Sequence, residues 1–166
     1  MAHPTAPSSG STSAPPAPDA AVANRYNQLA WFVGEPTIGD DTWIGPFCMI
    51  DGSGGLVIGR GCDLASGVHI YTHSSVRRCV TDRAVDIERA PVRIGDCTFI
   101  GANAVVLMGV TIGSHCIIGA GSMVGVDIPD RGVAMGVPAR VVGSVSPNGS
   151  IIYDRDLGPA AGITTR

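Results

Sequence analysis

An aliphatic residue recurs at every sixth position through much of this 166-residue chain, and this spacing restricts the possible folds more than any other feature. An α-helix would repeat its apolar face every three to four residues, and a half-buried strand every two. Six residues must therefore form a different unit, one that is short, extended and turned. The clearest run is "IGDCTFIGANAVVLMGVTIGSHCIIGAGSMVG". Its aliphatic positions are Ile94, Ile100, Val106, Ile112, Ile118 and Val124.

The same register continues toward the N-terminus, with a shift of two residues at "GSGG", residues 52 to 55. Its members before and after the shift are Ile38, Ile44, Ile50, Ile58, Leu64 and Ile70. A second position is also restricted, because a small or modest residue stands four places after most of the aliphatics. These residues are Thr42, Cys48, Cys62, Val68, Thr98, Ala104, Val110, Cys116 and Ser122.

The two restricted positions predict an all-β solenoid of short parallel strands, in which each hexapeptide is one strand and one turn. The aliphatic points inward and stacks about 4.8 Å above its predecessor, which is the ordinary strand spacing. The small residue leaves room inside a narrow prism, and a glycine beside the aliphatic supplies conformational freedom at the corner. An aromatic content of 5% fits a core too thin for large rings. The repeat accounts for most of residues 36 to 129.

Composition argues against several classes of function. The net charge of -3, without a basic run, argues against nucleic-acid binding. No apolar run reaches the length of a membrane span, and "MAHPTAPSSGSTSAPPAPDA" lacks the apolar segment of a signal peptide. Five cysteines without framework spacing indicate a reduced, cytoplasmic protein. Cys48, Cys62 and Cys116 are predicted to be small buried side chains of the repeat.

The chain divides into three predicted parts. Residues 1–23 are rich in proline, alanine and serine, which predicts a disordered tail. Residues 24–145 form the β-helix domain, and its first stretch, "NRYNQLAWF", is expected to cap the open end of the first coil. Residues 146–166 are polar and are expected to be irregular.

The repeat fails between Ile70 and Ile94, where Asp82 and Glu88 occupy two inward positions. Carboxylates cannot line an apolar core without partners. The stretch "THSSVRRCVTDRAVDIERAP", residues 72–91, is therefore predicted to be a loop extruded from the coil, and loops on rigid scaffolds commonly carry function. His73 stands at the start of this loop. A neutral imidazole can take a proton from a hydroxyl or an amine, which makes His73 a candidate general base.

Residues 36 to about 143 resemble the hexapeptide-repeat acyltransferases, in particular the galactoside, maltose and capsular-polysaccharide O-acetyltransferases. The resemblance rests on the repeats, "IYTHSS", the loop, "DIP" and "GVPARVV". It implies a left-handed parallel β-helix and a homotrimer that holds acetyl-CoA in the groove between neighbours. It also implies transfer of an acetyl group to a hydroxyl, or less often an amine, of a sugar or saccharide in polysaccharide biosynthesis. His73 would be the general base for direct attack on the thioester, and no metal would be required.

The same resemblance implies four cofactor-binding residues. Ala102 in "IGANA" and Ala120 in "IGAGS" are similar to positions where the family lets the pantetheine arm run along the backbone. Arg140 in "GVPAR" is similar to the family's basic residue for the CoA phosphates, a role that suits a forked guanidinium. Gly125 is also assigned to this site. Many family members carry a threonine and a lysine at this point, so one phosphate contact of the family is expected to be missing here.

The acceptor side is less defined, because the asparagine of the galactoside and maltose branch has no clear match. Asp51 in "IDGSGG" is our candidate substitute, either binding sugar hydroxyls or orienting His73, although aspartate is also an ordinary turn residue. Arg77 is a candidate to bind an anionic acceptor. Alternatively, this arginine is solvated or paired with a carboxylate of its own loop.

Two other functions remain open at this stage. A zinc enzyme of the γ-carbonic-anhydrase kind uses the same fold and three histidines that converge on one metal ion. His69 and His73 are expected to diverge, however, and His115 belongs to a later coil. A non-catalytic trimeric scaffold is the other alternative, and it would assign no special role to His73 or to Arg140.

Overall fold

The computed structural model describes residues 26–154, which form a left-handed β-helix of three parallel sheets arranged as a triangular prism. The predicted all-β solenoid is therefore confirmed. The tail predicted at residues 1–23 lies outside the described residues. Between residues 26 and 154, no helix has the length and apolar character needed to cross a membrane.

Each coil contributes one strand to each sheet in turn. Sheet 1 contains β1 (Trp31–Val33), β4 (Met49–Asp51), β7 (His69–Ile70), β12 (Val105–Val106) and β15 (Met123–Val124). Sheet 2 contains β2 (Thr37–Ile38), β5 (Leu56–Ile58), β10 (Val92–Ile94) and β13 (Thr111–Ile112). Sheet 3 contains β3 (Trp43–Ile44), β6 (Asp63–Leu64), β11 (Phe99–Ile100), β14 (Ile117–Ile118), β16 (Gly132–Gly136), β17 (Ala139–Val145) and β18 (Ile151–Tyr153).

Strand pairing gives the length of a coil directly. Ile94 pairs with Ile112, eighteen residues later, so three hexapeptides complete one turn of the prism. Ile50 pairs with Ile70 at a separation of twenty, which confirms the two-residue insertion at residues 52–55. Ile58 pairs with Ile94 at twice the normal separation, because the loop intervenes.

The predicted inward residues form the core. The repeat aliphatics from Ile44 to Val124 are at most 2% exposed, and the small residues four places after them are at most 8% exposed. Ile38 is half-buried and packs against the same cluster. Tyr26 and Phe32 stack at a ring-centroid distance of 5.8 Å and also pack against the core. Their placement fits the expected cap on the first coil.

The small inward residues do more than save space, because several of them satisfy corner carbonyls of the following coil. Four of these residues stack in one column at the corner between sheets 2 and 3, and each donates to a backbone carbonyl. The pairs are the Thr42 hydroxyl and the Gly59 carbonyl (2.8 Å), the Cys62 thiol and the Gly95 carbonyl (3.2 Å), the Thr98 hydroxyl and the Gly113 carbonyl (2.9 Å), and the Cys116 thiol and the Pro129 carbonyl (3.1 Å). Burial raises the pKa of the Cys62 and Cys116 thiols, so they remain protonated donors. The predicted burial of these cysteines is confirmed, with a hydrogen-bonding role added.

The glycines beside the aliphatics have a different role from the one expected. Their φ angles are ordinary, and what requires glycine is the closeness of the next coil. A Cβ on Gly101 would lie 2.5 Å from the Ala120 nitrogen, and a Cβ on Gly113 would lie 2.5 Å from the Asp130 nitrogen. Real Cβ atoms do not approach backbone so closely, so Gly101 and Gly113 have no room for a side chain, although Ala65 occupies the position equivalent to Gly101 in an earlier coil.

The conformational freedom is instead needed three residues after each aliphatic. There the backbone adopts a left-handed φ in every regular hexapeptide, with values between 53° and 83°. The residues at this position are Asp41, Phe47, Gly61, Gly67, Cys97, Asn103, Gly109, His115, Gly121 and Arg131. Only four of the ten are glycine, although left-handed backbone is costly for other residues.

The corner between sheet 1 and sheet 2 differs from the other two, and we call it the open corner. The residues that follow the inward positions of sheet 1 here are Val33, Asp51, Tyr71, Leu107 and Gly125. A Cβ on Gly125 would meet no atom closer than 3.4 Å. Both the two-residue insertion and the long loop leave the prism at this corner, which therefore tolerates side chains and extra chain.

The C-terminal part departs from the prediction in one respect. Residues 146–166 were expected to be irregular, but within their described part strand β18 pairs antiparallel with β17. Strand β17 in turn pairs antiparallel with β16, which continues the parallel stack from β14. The hairpin thus closes the end of sheet 3 by reversing the strand direction.

Replacing Gly101 with alanine should destabilise the fold by about 1–3 kcal/mol, because the added methyl group would clash with backbone. Gly125→Ala is the matched control at the open corner, where the same methyl group has room, and its effect should stay within about 1 kcal/mol. Denaturant unfolding of both variants measures the difference. Equal losses in the two variants would contradict the distinction between the corners.

Candidate active site

The extruded loop is a short hairpin that carries a helical turn. Strands β8 (His73–Ser74) and β9 (Glu88–Arg89) pair antiparallel, and α1 (Val76–Val80) lies between them. The Ala90 N–H donates to the Thr72 carbonyl (3.0 Å), which closes the base of the loop. No residue of α1 is buried. The loop therefore projects from the open corner, as predicted from the failed repeat.

Asp51 and His73 meet at the base of this loop, although 22 residues separate them in the sequence. Asp51 is the last residue of β4, and one of its carboxylate oxygens, Oδ2, lies 2.6 Å from His73 Nδ1. The same oxygen accepts from the Thr72 backbone N–H (2.8 Å), and Oδ1 accepts from the Ser53 N–H (2.9 Å). The Asp51 side chain is 1% exposed, whereas the His73 side chain is 37% exposed.

These contacts determine the charge of the pair and the tautomer of the imidazole. Burial alone would raise the pKa of Asp51, but the hydrogen bonds from Ser53, Thr72 and His73 outweigh it and hold this pKa well below its ordinary value. An ionised carboxylate can only accept, so His73 Nδ1 must carry a proton. In the neutral imidazole the lone pair therefore lies on Nε2, and no residue of the described range forms a hydrogen bond with this nitrogen.

The structure favours one of the two alternatives for Asp51. Both carboxylate oxygens are occupied by groups of the protein, and the side chain is almost fully buried, so a sugar hydroxyl has little access to it. The geometry is that of a carboxylate that orients His73.

Thr72 and Ser53 belong to this network, but sequence reasoning did not identify them. Thr72 is fully buried, and its hydroxyl accepts from the Gly54 N–H (2.8 Å) while lying 3.0 Å from Asp51 Oδ2. The Ser53 hydroxyl lies 3.4 Å from His73 Nδ1. Both residues stand where the repeat is interrupted, but the repeat alone does not indicate that the two interruptions meet in space.

The predicted cofactor residues lie at other places on the chain. Ala102 and Ala120 stack in successive coils at the corner between sheets 3 and 1, where the Gly121 N–H donates to the Ala102 carbonyl (2.8 Å). Gly125 lies in the open corner beside Leu107. Within one chain, Ala102 and Ala120 thus stand on the far side of sheet 1 from His73. The structure does not bring these two alanines to His73.

The two predicted arginines have different surroundings. Arg140 is exposed on β17, and its Nη1 donates only to the neighbouring Ala139 carbonyl (3.0 Å) among the residues described. Arg77 lies on α1 and forms an ion pair with Glu88 (2.9 Å between Nη1 and Oε1). Arg77 therefore holds the helical turn against β9, which weakens its assignment to an anionic acceptor.

The three histidines of the described range lie in different surroundings. His69 Nδ1 is 3.1 Å from the Tyr71 hydroxyl on the outer face of sheet 1. His115 is exposed at a left-handed turn between sheets 2 and 3, while His73 bonds to Asp51 at the open corner. No group of three or more metal-ligating side chains was found between residues 26 and 154.

Comparison with known proteins agrees with this fold. The family described as the hexapeptide repeat of succinyl-transferase matches residues 37–72 and 91–131. The galactoside O-acetyltransferase of Escherichia coli K12 is 30% identical over 140 residues, which cover 72% of this chain and 69% of that protein. The match to the family leaves out the loop, where the repeat is absent.

Solved structures give the same result. A maltose O-acetyltransferase from Clostridium difficile superposes with a TM-score of 0.59 at 27% identity, covering 72% of this chain and 68% of the other. A hexapeptide-repeat acetyltransferase of Vibrio cholerae, complexed with acetyl coenzyme A, has a TM-score of 0.59 at 32% identity, covering 67% and 61%. The fold and its relatives define an acyltransferase. The chain belongs to the hexapeptide-repeat acetyltransferases.

Replacing Asp51 with asparagine should reduce the free energy of unfolding by about 1.5–3 kcal/mol at neutral pH, because an amide cannot accept the charged hydrogen bonds of the carboxylate. Since folding lowers the pKa of Asp51, its contribution is complete above the ordinary aspartate pKa of about 4 and is lost as the pH falls below it. Denaturant unfolding at several pH values should show the two proteins converging in acid. A constant difference down to low pH would contradict this account of Asp51.

Proposed function

We propose that this protein transfers an acetyl group from acetyl-CoA to a hydroxyl group of a sugar or saccharide, with His73 as the general base. The observation that carries this proposal is the Asp51–His73 pair. A buried, ionised carboxylate accepts from Nδ1–H of a partly exposed imidazole, and no residue of the described range occupies Nε2. The sugar acceptor is supported by the galactoside and maltose acetyltransferases that this chain resembles.

The reaction follows from the state of this pair. Nε2 removes the proton of the acceptor hydroxyl as its oxygen attacks the thioester carbonyl carbon, giving a tetrahedral intermediate. The carbon–sulfur bond then breaks, and the imidazolium returns the proton to the leaving thiolate of CoA. Asp51 stays ionised and stabilises the imidazolium between the two steps. No covalent intermediate on the enzyme is required.

Acetyl-CoA has suitable surfaces on this chain, although they are not adjacent to His73 of the same chain. The stacked corner at Ala102 and Ala120 presents backbone beneath small side chains, which permits close approach of an extended pantetheine arm. Arg140 supplies an exposed guanidinium without a carboxylate partner in the described range, which suits a phosphate. Gly125 adds a further small position at the open corner.

We also propose a homotrimer, because a neighbouring chain would bring its Ala102 and Ala120 corner toward the His73 of this one. Apolar side chains on the outer faces support such packing. Trp31 is 61% exposed on sheet 1, and Trp43 and Phe99 are 50% and 45% exposed on sheet 3. Aromatic side chains are enriched at protein interfaces relative to the rest of the surface.

The proposed setting is the cytoplasm, in the biosynthesis of acetylated polysaccharides. The five cysteines are all unpaired, which fits a reducing compartment. The acceptor hydroxyl is proposed in preference to an amine because the galactoside and maltose relatives are O-acetyltransferases.

His73→Ala should lower kcat by about 10²- to 10⁴-fold, which is the usual contribution of a general base. The KM for acetyl-CoA should be unchanged, since His73 is not assigned to cofactor binding. Release of CoA thiol in the presence of a galactoside or maltose provides the assay. His115→Asn is the matched control, because it removes an exposed imidazole at a left-handed turn that asparagine tolerates. Wild-type turnover by His73→Ala would remove this residue from the mechanism.

Arg140→Ala should raise the KM for acetyl-CoA about tenfold or more and leave kcat nearly unchanged, because a charged hydrogen bond to phosphate is lost. Arg93→Ala, which removes an exposed arginine of sheet 2, is the control for charge alone. Thermal shift with CoA gives an independent readout, since a ligand that binds only the folded state raises its stability. An unchanged KM together with an unchanged thermal shift would exclude Arg140 from the phosphate site.

A further inference from the structure

The tip of the extruded loop contains a cavity that the acetyl-transfer mechanism does not use. Its volume is about 400 Å³, and its lining consists of Ser75, Arg78, Cys79, Asp82 and Arg83. The backbone places the two arginines together, because the Arg83 N–H donates to the Arg78 carbonyl (2.8 Å). Asp82 and Arg83 both have left-handed φ angles, which turn the chain back over α1. The cavity is therefore a feature of the local fold.

The charges of this cavity are not balanced within the loop. Among the described residues, neither Arg78 nor Arg83 has a carboxylate within ion-pair distance, whereas the neighbouring Arg77 is paired with Glu88. Asp82 also lines the cavity and offsets one of the two positive charges, so the lining carries a net charge of about +1. A bound anion would neutralise this charge. Guanidinium groups bind carboxylates and phosphates through two parallel hydrogen bonds.

The cavity is close to the proposed catalytic base. Ser75, at its edge, follows His73 by only two residues, so the two Cα atoms are at most about 7 Å apart. The lining of the cavity therefore begins two residues from the proposed base, and the proposal below places one acceptor across both. Arg78 is half-buried and Arg83 exposed, so both guanidinium groups are open to a ligand from solvent.

We propose that Arg78 and Arg83 bind a carboxylate or phosphate group of the acceptor, which makes acidic or phosphorylated saccharides the preferred substrates. This inference rests on the proposed acetyltransferase function and adds the substrate class. Sequence analysis gave an anion-binding role to Arg77. The proposal gives this role instead to Arg78 and Arg83, which line the cavity and have no ion-pair partner among the described residues. The phosphates of CoA are another group that these arginines could bind. Measuring the KM for acetyl-CoA separately from kcat/KM for the acceptor distinguishes the two ligands.

The test compares neutral and anionic acceptors that are otherwise alike: galactose with galacturonate, and glucose with glucose 6-phosphate. Wild-type kcat/KM should be higher for the anionic member of at least one pair. Arg78→Gln and Arg83→Gln should each lower that value about ten- to hundredfold, because a charge-assisted hydrogen bond is lost. Asp82→Asn should raise kcat/KM for the anionic acceptor several-fold, because it removes a carboxylate that repels the anion. The readout is the ratio of kcat/KM for the anionic member to kcat/KM for the neutral member, which should fall in Arg78→Gln and Arg83→Gln and rise in Asp82→Asn.

Arg93→Gln is the matched control, because it removes an exposed arginine of β10 outside the loop. Circular dichroism melting curves establish that each variant is folded. A fall in kcat/KM that is equal for the neutral and anionic acceptors would overturn the proposal. So would a rise in the KM for acetyl-CoA in Arg78→Gln, since the cavity would then bind the donor.

Saturation-transfer NMR with galacturonate and galactose measures binding without turnover, and it separates this inference from the function on which it rests. Binding of galacturonate in preference to galactose, lost in Arg78→Gln and Arg83→Gln, would support the anion site even if His73→Ala retained full activity. Equal binding of the two sugars, or no binding of either, would overturn the anion site even if acetyl transfer were established.

Discussion

The structure depends on the distance between successive coils, which is set by parallel hydrogen bonding at about 4.8 Å. At two of the three corners this distance leaves little or no room for a Cβ atom, as the contacts around Gly101 and Gly113 show, and apart from Ala65 the residues beside the regular aliphatics there are glycines. The third corner admits larger residues, among them Asp51 and Leu107. The regular coils of the prism therefore vary mainly along one edge. Both insertions, and the candidate site with them, occur at that edge.

The same spacing explains why two residues of the candidate site, Asp51 and Thr72, are buried while His73 is partly exposed. Asp51 ends a strand of one coil, and Thr72 and His73 follow a strand of the next, so hydrogen bonds between the coils bring them together. The loop then leaves the prism directly after His73. A buried carboxylate can remain ionised there because backbone N–H groups of Ser53 and Thr72 replace the water that burial removes.

The sequence was sufficient to predict the repeat, its inward residues and the position of both interruptions, because a period of six excludes helices and simple strands. It did not predict why the glycines are needed, since the closeness of one coil to another is a property of the stacked structure. The position with a left-handed φ in each hexapeptide could not be predicted either, because residues as different as Phe47, Asn103 and Arg131 occupy it. For Asp51 the sequence offered two roles, and it could not show the contact with His73, because pairing between successive coils brings these two residues together.

The column of inward threonines and cysteines affects how the β-helix unfolds. Each hydroxyl or thiol in it donates to a carbonyl of the coil that follows, so these hydrogen bonds link nearest-neighbour coils along the axis. Such a stack can lose its terminal coils while the middle persists. Asp51 and His73 belong to adjacent coils in the interior of that stack, with strands paired on both sides of each. The candidate pair is thus separated from each end of the prism by at least one paired coil, so local opening of an end can leave the contact between Asp51 and His73 in place.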